Sequence, residues 1–310
     1  MSSPEVSVVM AIYNGAVYLR ESIDSILAQE GVDFEFIIVN DGSTDSTGDI
    51  LAEYVQNDSR IRVINQENAG LTRALIRGCA EARGKYIARQ DCGDVSLPGR
   101  LDAQLQAFLR VPRASLVSCG VRTVTDEGHL LVENIPSSEG ATEGLLATDL
   151  VNVRGPAHHG STMFPRLQYN EVGGYRKEFY FAQDLDLWSR LAEHGRHIIV
   201  EGIYYKALFA EHSISSQFRK QQVATANLIF ACALARRNNK SEEIFLAQAG
   251  LIRPFHKGLI AQRLMHSNAC YFLGCCLRNN GNPAAIDYLW KALKFWPLHL
   301  KALAALVRCP

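Results

Sequence analysis

Two periodicities alternate through the first hundred residues. Residues 6–12 (VSVVMAI) and 34–40 (FEFIIVN) are short β-branched runs of the kind that buried strands show, and residues 61–65 and 85–88 are shorter runs of similar type. Between them Tyr18, Leu19, Ile23, Ile26 and Leu27 recur at helical spacing, as do Ile50, Leu51 and Tyr54, and then Leu71, Leu75 and Cys79. Strand and helix in this order predict a parallel sheet covered by helices on both faces. Such sheets bind ligands at the carboxyl ends of their strands. Further strand-like segments follow at 115–124 and 197–205. A loop-rich stretch at 135–166 between them holds His158, His159 and Ser161. A helix is expected over about 184–194, with Leu187, Trp188 and Leu191 on one face.

After Ser216 the character changes. Residues 217–238, 241–250, 259–279, 283–295 and 298–307 read as amphipathic helices with no strand between them, and Pro283 and Pro297 sit where helix starts or breaks belong. The segment AAIDYLWKALKFWPLHLKALAAL resembles a single helical hairpin of the tetratricopeptide kind. The expected architecture is an α/β domain over residues 1–215, a mostly parallel sheet with flanking helices, followed by a basic α-helical region over 216–310.

Composition narrows the class. The chain has 310 residues, 47% hydrophobic and 21% charged, which fits an ordinary globular protein and excludes collagen-like, disordered and disulfide-scaffold classes. Its 32 Lys and Arg balance 32 Asp and Glu, but not locally. From Gln217 onward 13 basic side chains face three acidic ones, a formal +10 that the rest of the chain offsets with −10. The eight cysteines follow no metal-ligand or disulfide-framework spacing, which points to a reducing compartment. No signal peptide is visible, and no apolar run approaches the ~18–20 residues of a membrane-spanning helix. A cytoplasmic protein, or one resting peripherally on the inner face of the membrane, is expected.

Polar residues gather at three strand ends. Ala11-Ile12-Tyr13-Asn14-Gly15 follows the first strand, Asn40-Asp41-Gly42-Ser43-Thr44-Asp45 the second, and Arg89-Gln90-Asp91-Cys92-Gly93-Asp94 the fourth. A carboxylate after the second strand can accept hydrogen bonds from a nucleobase imide or a ribose hydroxyl. Asp91 and Asp94 could hold a hard cation, which favours oxygen ligands. Any one of these loops alone reads as a turn with a helix cap, because Asp, Gly and Ser serve there for backbone reasons. Three on one rim do not.

Together these pieces resemble an inverting glycosyltransferase of family 2 with the GT-A fold. The resemblance is carried, in the family's order, by VSVVMAIYNGAVYLRESIDSILAQ, FEFIIVNDGSTDST, NAGLTRAL, GKYIARQDCGDVSLPGRL, HHGSTMF, EVGGYR and FAQDLDLWSRLAEHG, and covers roughly residues 5–215. It implies that Ala11, Tyr13 and Asn14 border the nucleotide and that Asp41 pairs with the base, most often uracil. It implies that Asp91, with Cys92 beside it, begins the Asp-x-Asp element, which contacts ribose or a metal-bound water. Asp184, in Gln183-Asp184, occupies the general-base position, and His159 and Ser161 sit in a loop facing the acceptor or diphosphate. The implied donor is a nucleotide-diphosphate sugar, a UDP sugar first. The implied cofactor is Mn²⁺ or Mg²⁺, and the acceptor a glycan or lipid-linked hydroxyl in surface-polysaccharide synthesis. No nucleic-acid partner is expected. Read alone, Asp184 is a helix-start acid favoured by the helix dipole, and Asp186 is expected to be structural.

The chain departs from the resemblance at two places. Gly93 stands where the family's usual metal-binding carboxylate would be, which leaves three outcomes: Asp94 takes the cation, the diphosphate and Asp91 hold it, or metal binding is weak. Leu208-Phe209-Ala210, ahead of Glu211-His212-Ser213-Ile214-Ser215, lacks the Arg-x-His that many members aim at the leaving diphosphate, with Lys206, His212 and Arg219 as substitutes. Both losses fall on leaving-group stabilisation and keep a second reading in view, a catalytically impaired binding or scaffold protein on the same fold. A nucleotidyltransferase is a distant third, because the segment after Ile12 lacks a Gly-rich basic phosphate loop. The basic tail reads as solvated helices packing their stems on apolar surface, as a contact with anionic membrane, or as a surface that pairs with an acidic partner such as the −10 half of a second copy. In the second case Phe295, Trp296, Leu298 and Leu300 supply an apolar edge.

Overall fold

A computed structural model of the chain describes residues 3–209, 218–255 and 258–307. It opens with the expected alternation of β1 (Val6–Ile12), α1 (Ala16–Leu27), β2 (Phe34–Asp41), α2 (Thr47–Asn57), β3 (Ile61–Gln66), α3 (Leu71–Ala80) and β4 (Tyr86–Arg89). All of β2 is buried, so its apolar run has no solvent face. The pleat sorts successive side chains into two cores. Val6, Val8, Met10 and Ile12 pack with Leu19, Ile23 and Ile26 of α1 on one face, while Val9 and Ile37 pack with Leu75 and Cys79 of α3 on the other. β1 pairs in parallel with both β2 and β4, Val6 lying opposite Phe34 on one side and Tyr86 on the other. The loops that follow these strands therefore leave from one edge.

The chain continues through β5 (Val95–Ser96), α4 (Arg100–Arg110), β6 (Ala114–Val124), β7 (Leu130–Asn134), α5 (Ala141–Leu146), a 3-10 turn (His159–Ser161), β8 (Met163–Pro165), α6 (Arg166–Glu171), α7 (Gln183–Ala192) and β9 (Arg196–Leu208). Strand order in the sheet is β3-β2-β1-β4-β8-β6-β9-β5, with β7 beside β6. β8 runs antiparallel to β4, so the parallel half ends there. The expected elements do not include α4, and β5, β7, β8, α5 and α6 have no counterpart in the sequence pattern. At two to six residues each, these last five are too short to show a period. Partners define the short strands, as where Val95 lies opposite Lys206.

Among the described residues the later helices are α8 (Arg219–Arg237), α9 (Glu243–Ala249), α10 (Leu259–Asn279), α11 (Ala285–Phe295) and α12 (Leu300–Val307). Two compact units result: Met1–Val121 with Asn134–Ala207 and Val223–Ile252, and Arg122–Glu133 with Leu208–Gln222 and Arg253–Pro310. The boundary expected near residue 215 lies outside the described residues. Most of α8 and all of α9 group with the first unit. There Ile229, Cys232 and Ala249 pack on Phe179, and Arg236 grips Glu193 through two bonds of 2.6 and 2.9 Å. In the second unit α10 and α11 approach so closely that a Cβ on Gly274 would stand 2.7 Å from Leu289 Cγ. Ala302 and Ala305 of α12 join Cys270, Leu289 and Ala292 in that unit's core. No helix among the described residues is long and apolar enough to cross a membrane.

Candidate active site at the strand ends

The three loops are stitched together. Asn14 sits at φ 51°, a left-handed conformation that Asn tolerates. Its Oδ1 accepts from Thr44 N at 2.7 Å, and its N–H donates to Ser43 Oγ at 3.0 Å. Cys92 Sγ lies 3.6 Å from Gly15 O, and Gly93 N donates to Ser22 Oγ at 2.9 Å. A Cβ on Gly15 would meet Ile12 Cδ1 at 2.6 Å and Cys92 Sγ at 2.8 Å, so glycine lets the first and third loops close up. Burial, helped by Asp94 and Asp91, pushes the Cys92 thiol up to about 12, which makes it a neutral brace. Ala11 is half-buried at the end of β1, and the Tyr13 ring beyond it is 53% exposed.

Asp41 is buried and already engaged. Its Oδ1 accepts from Gln66 Nε2 at 2.7 Å and Ala69 N at 2.9 Å, and its Oδ2 from Gly70 N at 2.9 Å. A carboxylate offers about four acceptor sites, so one on Oδ2 remains.

The third loop brings Asp91 and Asp94 into a cluster with His158 and His159. His158 Nδ1 lies 3.4 Å from Asp94 Oδ2, and His159 Nδ1 lies 3.8 Å from Asp91 Oδ2. The Tyr205 hydroxyl joins the two acids: it donates to Asp94 Oδ2 at 2.9 Å and accepts from Asp91 N at 3.2 Å. Beneath them lie two fully buried arginines. Arg89 Nη2 donates to Asp91 Oδ1 at 2.6 Å. Burial alone would raise the Asp91 carboxyl, but the Arg89 guanidinium overrides it and holds Asp91 below the usual carboxylate range. Arg100 donates to the carbonyls of Arg89 and Gly160 at 2.9 and 2.7 Å and lies over the Tyr205 ring. Burial pulls its pKa down. Burying an ion costs several kcal/mol even after relaxation. Arg100 is held by two carbonyls and a ring.

Asp184 stands in the first turn of α7. Ala182, just before the helix, takes φ 50° and ψ 27°, a conformation costing an alanine about 1–2 kcal/mol. An acid near a helix N-terminus typically gains only about 0.3–1 kcal/mol, so dipole stabilisation of Asp184 does not offset that strain. Asp184 Oδ1 accepts from Leu185 N at 2.9 Å, and its charge acts on His159 and Tyr175. His159 Nε2 lies 3.1 Å from the Tyr175 hydroxyl, with the ring edge-on to Trp188. Burial and then Arg89 lower the His159 pKa, which keeps the imidazole neutral. Tyr175, His159 and Asp91 thus form one polar seam that feels the Asp184 charge.

Ser161 does not join it. Its side chain is buried and donates to His158 O at 2.7 Å, so His158 and His159 present the polar face of that loop. Lys206 pairs with Glu21 at 2.7 Å. Ala210, Glu211, His212, Ser213, Ile214 and Ser215 lie outside the described residues, and Arg219 begins α8 in the second unit.

The family described as Glycosyl transferase family 2 matches over residues 7–166. The putative glycosyltransferase EpsE of Bacillus subtilis (strain 168) is 32% identical over 271 residues, covering 84% of this chain and 93% of the relative. This chain belongs to glycosyl transferase family 2. An uncharacterized glycosyltransferase of Rickettsia bellii is 32% identical over 220 residues, 71% of this chain but 30% of the relative. Hyaluronan synthase of Pasteurella multocida is 28% identical over 224 residues, 72% of this chain but 22% of its own length. The chain thus spans under a third of two of these relatives. Among solved structures, S. aureus TarS 1-349 in complex with UDP superposes with a TM-score of 0.53 at 15% identity, covering 94% of this chain and 89% of that one. Mannosyltransferase PcManGT from Pyrobaculum calidifontis, in complex with GDP-Man and Mn²⁺, gives 0.56 at 17% identity, covering 99% and 87%. At these identities the likeness is one of fold, the GT-A fold.

The glycosyltransferase's residues fit a divalent cation. Asp91, Asp94 and His158 each offer a ligand atom, and these atoms lie within 4.8 Å of one another. Two carboxylates and an imidazole suit a first-row divalent ion. Sequence reasoning gave His158 no role and missed Arg89, Arg100, Tyr175 and Tyr205. An arginine closing the apolar run Tyr86-Ile87-Ala88 was the available signal for Arg89.

Proposed function

We propose that this glycosyltransferase moves a sugar from a nucleotide-diphosphate donor, a UDP sugar, to a hydroxyl of a glycan or lipid-linked acceptor in surface-polysaccharide synthesis, inverting the anomeric carbon. The observation that carries the reading is the polar seam of Asp91, His159 and Tyr175, which feels the Asp184 charge, is flanked by the Asp94–His158 pair and is set beside the loops that follow β1 and β2. The UDP bound by TarS supports the donor class, and hyaluronan synthase among the relatives supports a glycan acceptor.

In this mechanism the base lies against Tyr13, bordered by Ala11 and Asn14, and the free acceptor site of Asp41 takes the imide N–H. Asp91 meets the ribose, with Cys92 bracing the loop from behind. Arg89 and Arg100 hold positive potential under the diphosphate. When bound at Asp91 and Asp94, Mn²⁺ or Mg²⁺ supplies charge against that building on the departing diphosphate. Asp184 accepts the acceptor's hydroxyl proton as that oxygen attacks the anomeric carbon, and His159 orients the incoming group. Attack comes from the face opposite the leaving group, the bond from the anomeric carbon to the diphosphate breaks, and the configuration inverts. The enzyme works at the cytoplasmic face of a membrane, where the basic helices of its second unit meet anionic lipid.

The test is calorimetric titration of UDP, with GDP alongside, once with Mn²⁺ and once with EDTA. Micromolar UDP binding, tighter with Mn²⁺, is expected. Tighter GDP binding would move the donor to a GDP sugar. Binding of neither would overturn the donor reading and favour the impaired binding protein.

A further inference from the structure

We propose that His158 is a direct nitrogen ligand of the catalytic cation, making this an oxygen–oxygen–nitrogen site that selects Mn²⁺ over Mg²⁺. The inference rests on the transfer reading above and goes beyond it by naming a third ligand and the metal class it favours.

The loop from Asp91 to Asp94 is a tight turn, with Asp94 N bonded to Asp91 O at 3.3 Å and Gly93 at φ 97°. That conformation suits glycine and strains other residues. Position 93 therefore offers no ligand, and any side chain put there would meet backbone resistance. The turn supplies two carboxylates, and a third donor must come from elsewhere.

His158 stands where that donor is needed. It precedes the 3-10 turn, its ring stacks on Tyr205 at 5.5 Å between centroids, and Tyr205 is bonded to Asp94. Gly160 N donates to His158 Nδ1 at 3.2 Å, so Nδ1 is the unprotonated ring nitrogen. The same Nδ1 lies 3.4 Å from Asp94 Oδ2. Two ligand atoms thus stand close together, one nitrogen and one oxygen. At 3.4 Å from each other, and with an Asp91 oxygen within 4.8 Å of both, the two atoms are near enough to reach one cation together. The bond from Gly160 is at the long end of the usual range, so a cation can take the lone pair from it. Imidazole suits Mn²⁺ and later first-row ions, whereas Mg²⁺ favours an all-oxygen, strictly octahedral shell.

The experiment is Mn²⁺ titration of the full chain followed by pulsed EPR of the bound ion, with Mg²⁺ in competition. Directly bound nitrogen coupling is expected in the native protein, together with Mn²⁺ binding at least about tenfold tighter than Mg²⁺. His158→Ala should lose the coupling and weaken Mn²⁺ by about tenfold or more. His158→Asp should keep Mn²⁺ affinity within a few-fold, lose the coupling and narrow the gap to Mg²⁺, which separates a lost ligand from a damaged fold. Bound Mn²⁺ without nitrogen coupling, a coupling that survives His158→Ala, or no Mn²⁺ binding would overturn the inference. UDP titration in EDTA, run in parallel, reports on the donor reading independently: UDP binding with uncoupled Mn²⁺ sinks the ligand assignment and leaves the transfer reading standing.

Discussion

Asp184 and Asp186 are two residues apart on α7 and have opposite surroundings. Asp186 is buried and accepts from Arg176 at both oxygens and from Arg190 Nη2 at 2.6 Å. Burial alone would raise its carboxyl, but Arg190 and Arg176 override that and hold it below the usual range. Removing one partner of such a buried pair costs about 3–5 kcal/mol, because the guanidiniums are left uncompensated. Asp186→Asn is therefore expected to lose about 3 kcal/mol in urea denaturation. Its acid limb should also flatten. With the folded pKa below the unfolded value of about 3.9, the Asp186 contribution is full above that value and lost as pH falls through the folded one. Asp184→Asn should keep stability within about 0.5 kcal/mol and lower turnover by about 10²–10⁴-fold. A stable, active Asp184→Asn protein would remove Asp184 from the mechanism.

The elements reach the site by contacts that no local pattern encodes. Gly160 in the 3-10 turn lies against Tyr205 of β9, and a Cβ there would stand 1.9 Å from the Tyr205 hydroxyl. That hydroxyl holds Asp94, so Gly160→Ala should displace both and cost about 1–3 kcal/mol from overpacking, read by thermal denaturation. Mn²⁺ affinity should fall with it. Tyr205→Phe keeps the ring and removes only the hydroxyl. It should lose about 1.5–3 kcal/mol, the usual worth of a bond to a charged group, and native Mn²⁺ affinity in that variant would show that Asp94 needs no such support. The same geometry explains what was legible in the sequence. β1, β2 and their helices were readable because each buries a periodic face, as Val6, Val8, Met10 and Ile12 do. Asp91, Asp94 and Asp184 were readable as acids at strand and helix ends. Tyr205 and His158 were not, because they meet Asp94 only through the fold. Ser161 reads as a site residue from its polar loop, yet its hydroxyl is satisfied by His158 O of its own turn.

Charge is the property that only the whole chain reveals. The formal +10 of the tail is not one surface, since Arg236 and Arg237 are spent on Glu193 in the first unit. The second unit holds 11 basic and five acidic side chains, a formal +6. It also carries apolar surface in the right form for a lipid boundary. Leu300, Leu303 and Val307, at helical spacing on α12, are 74%, 49% and 82% exposed, and Leu298 beside them is 76% exposed. Phe295 and Trp296, expected to share that edge, are partly buried. Each Lys or Arg near an anionic surface contributes about 1 kcal/mol, screened over a Debye length of about 8 Å at physiological salt. Charge and apolar contact therefore make separable contributions to the proposed membrane docking. Co-sedimentation with anionic vesicles at low salt should exceed that with neutral vesicles, and raising the salt should release most of the protein. Lys294→Glu with Lys301→Glu should weaken binding mainly at low salt. Leu300→Ser with Leu303→Ser should weaken whatever binding survives high salt. Equal sedimentation with neutral and anionic vesicles would leave the basic helices as a solvated face.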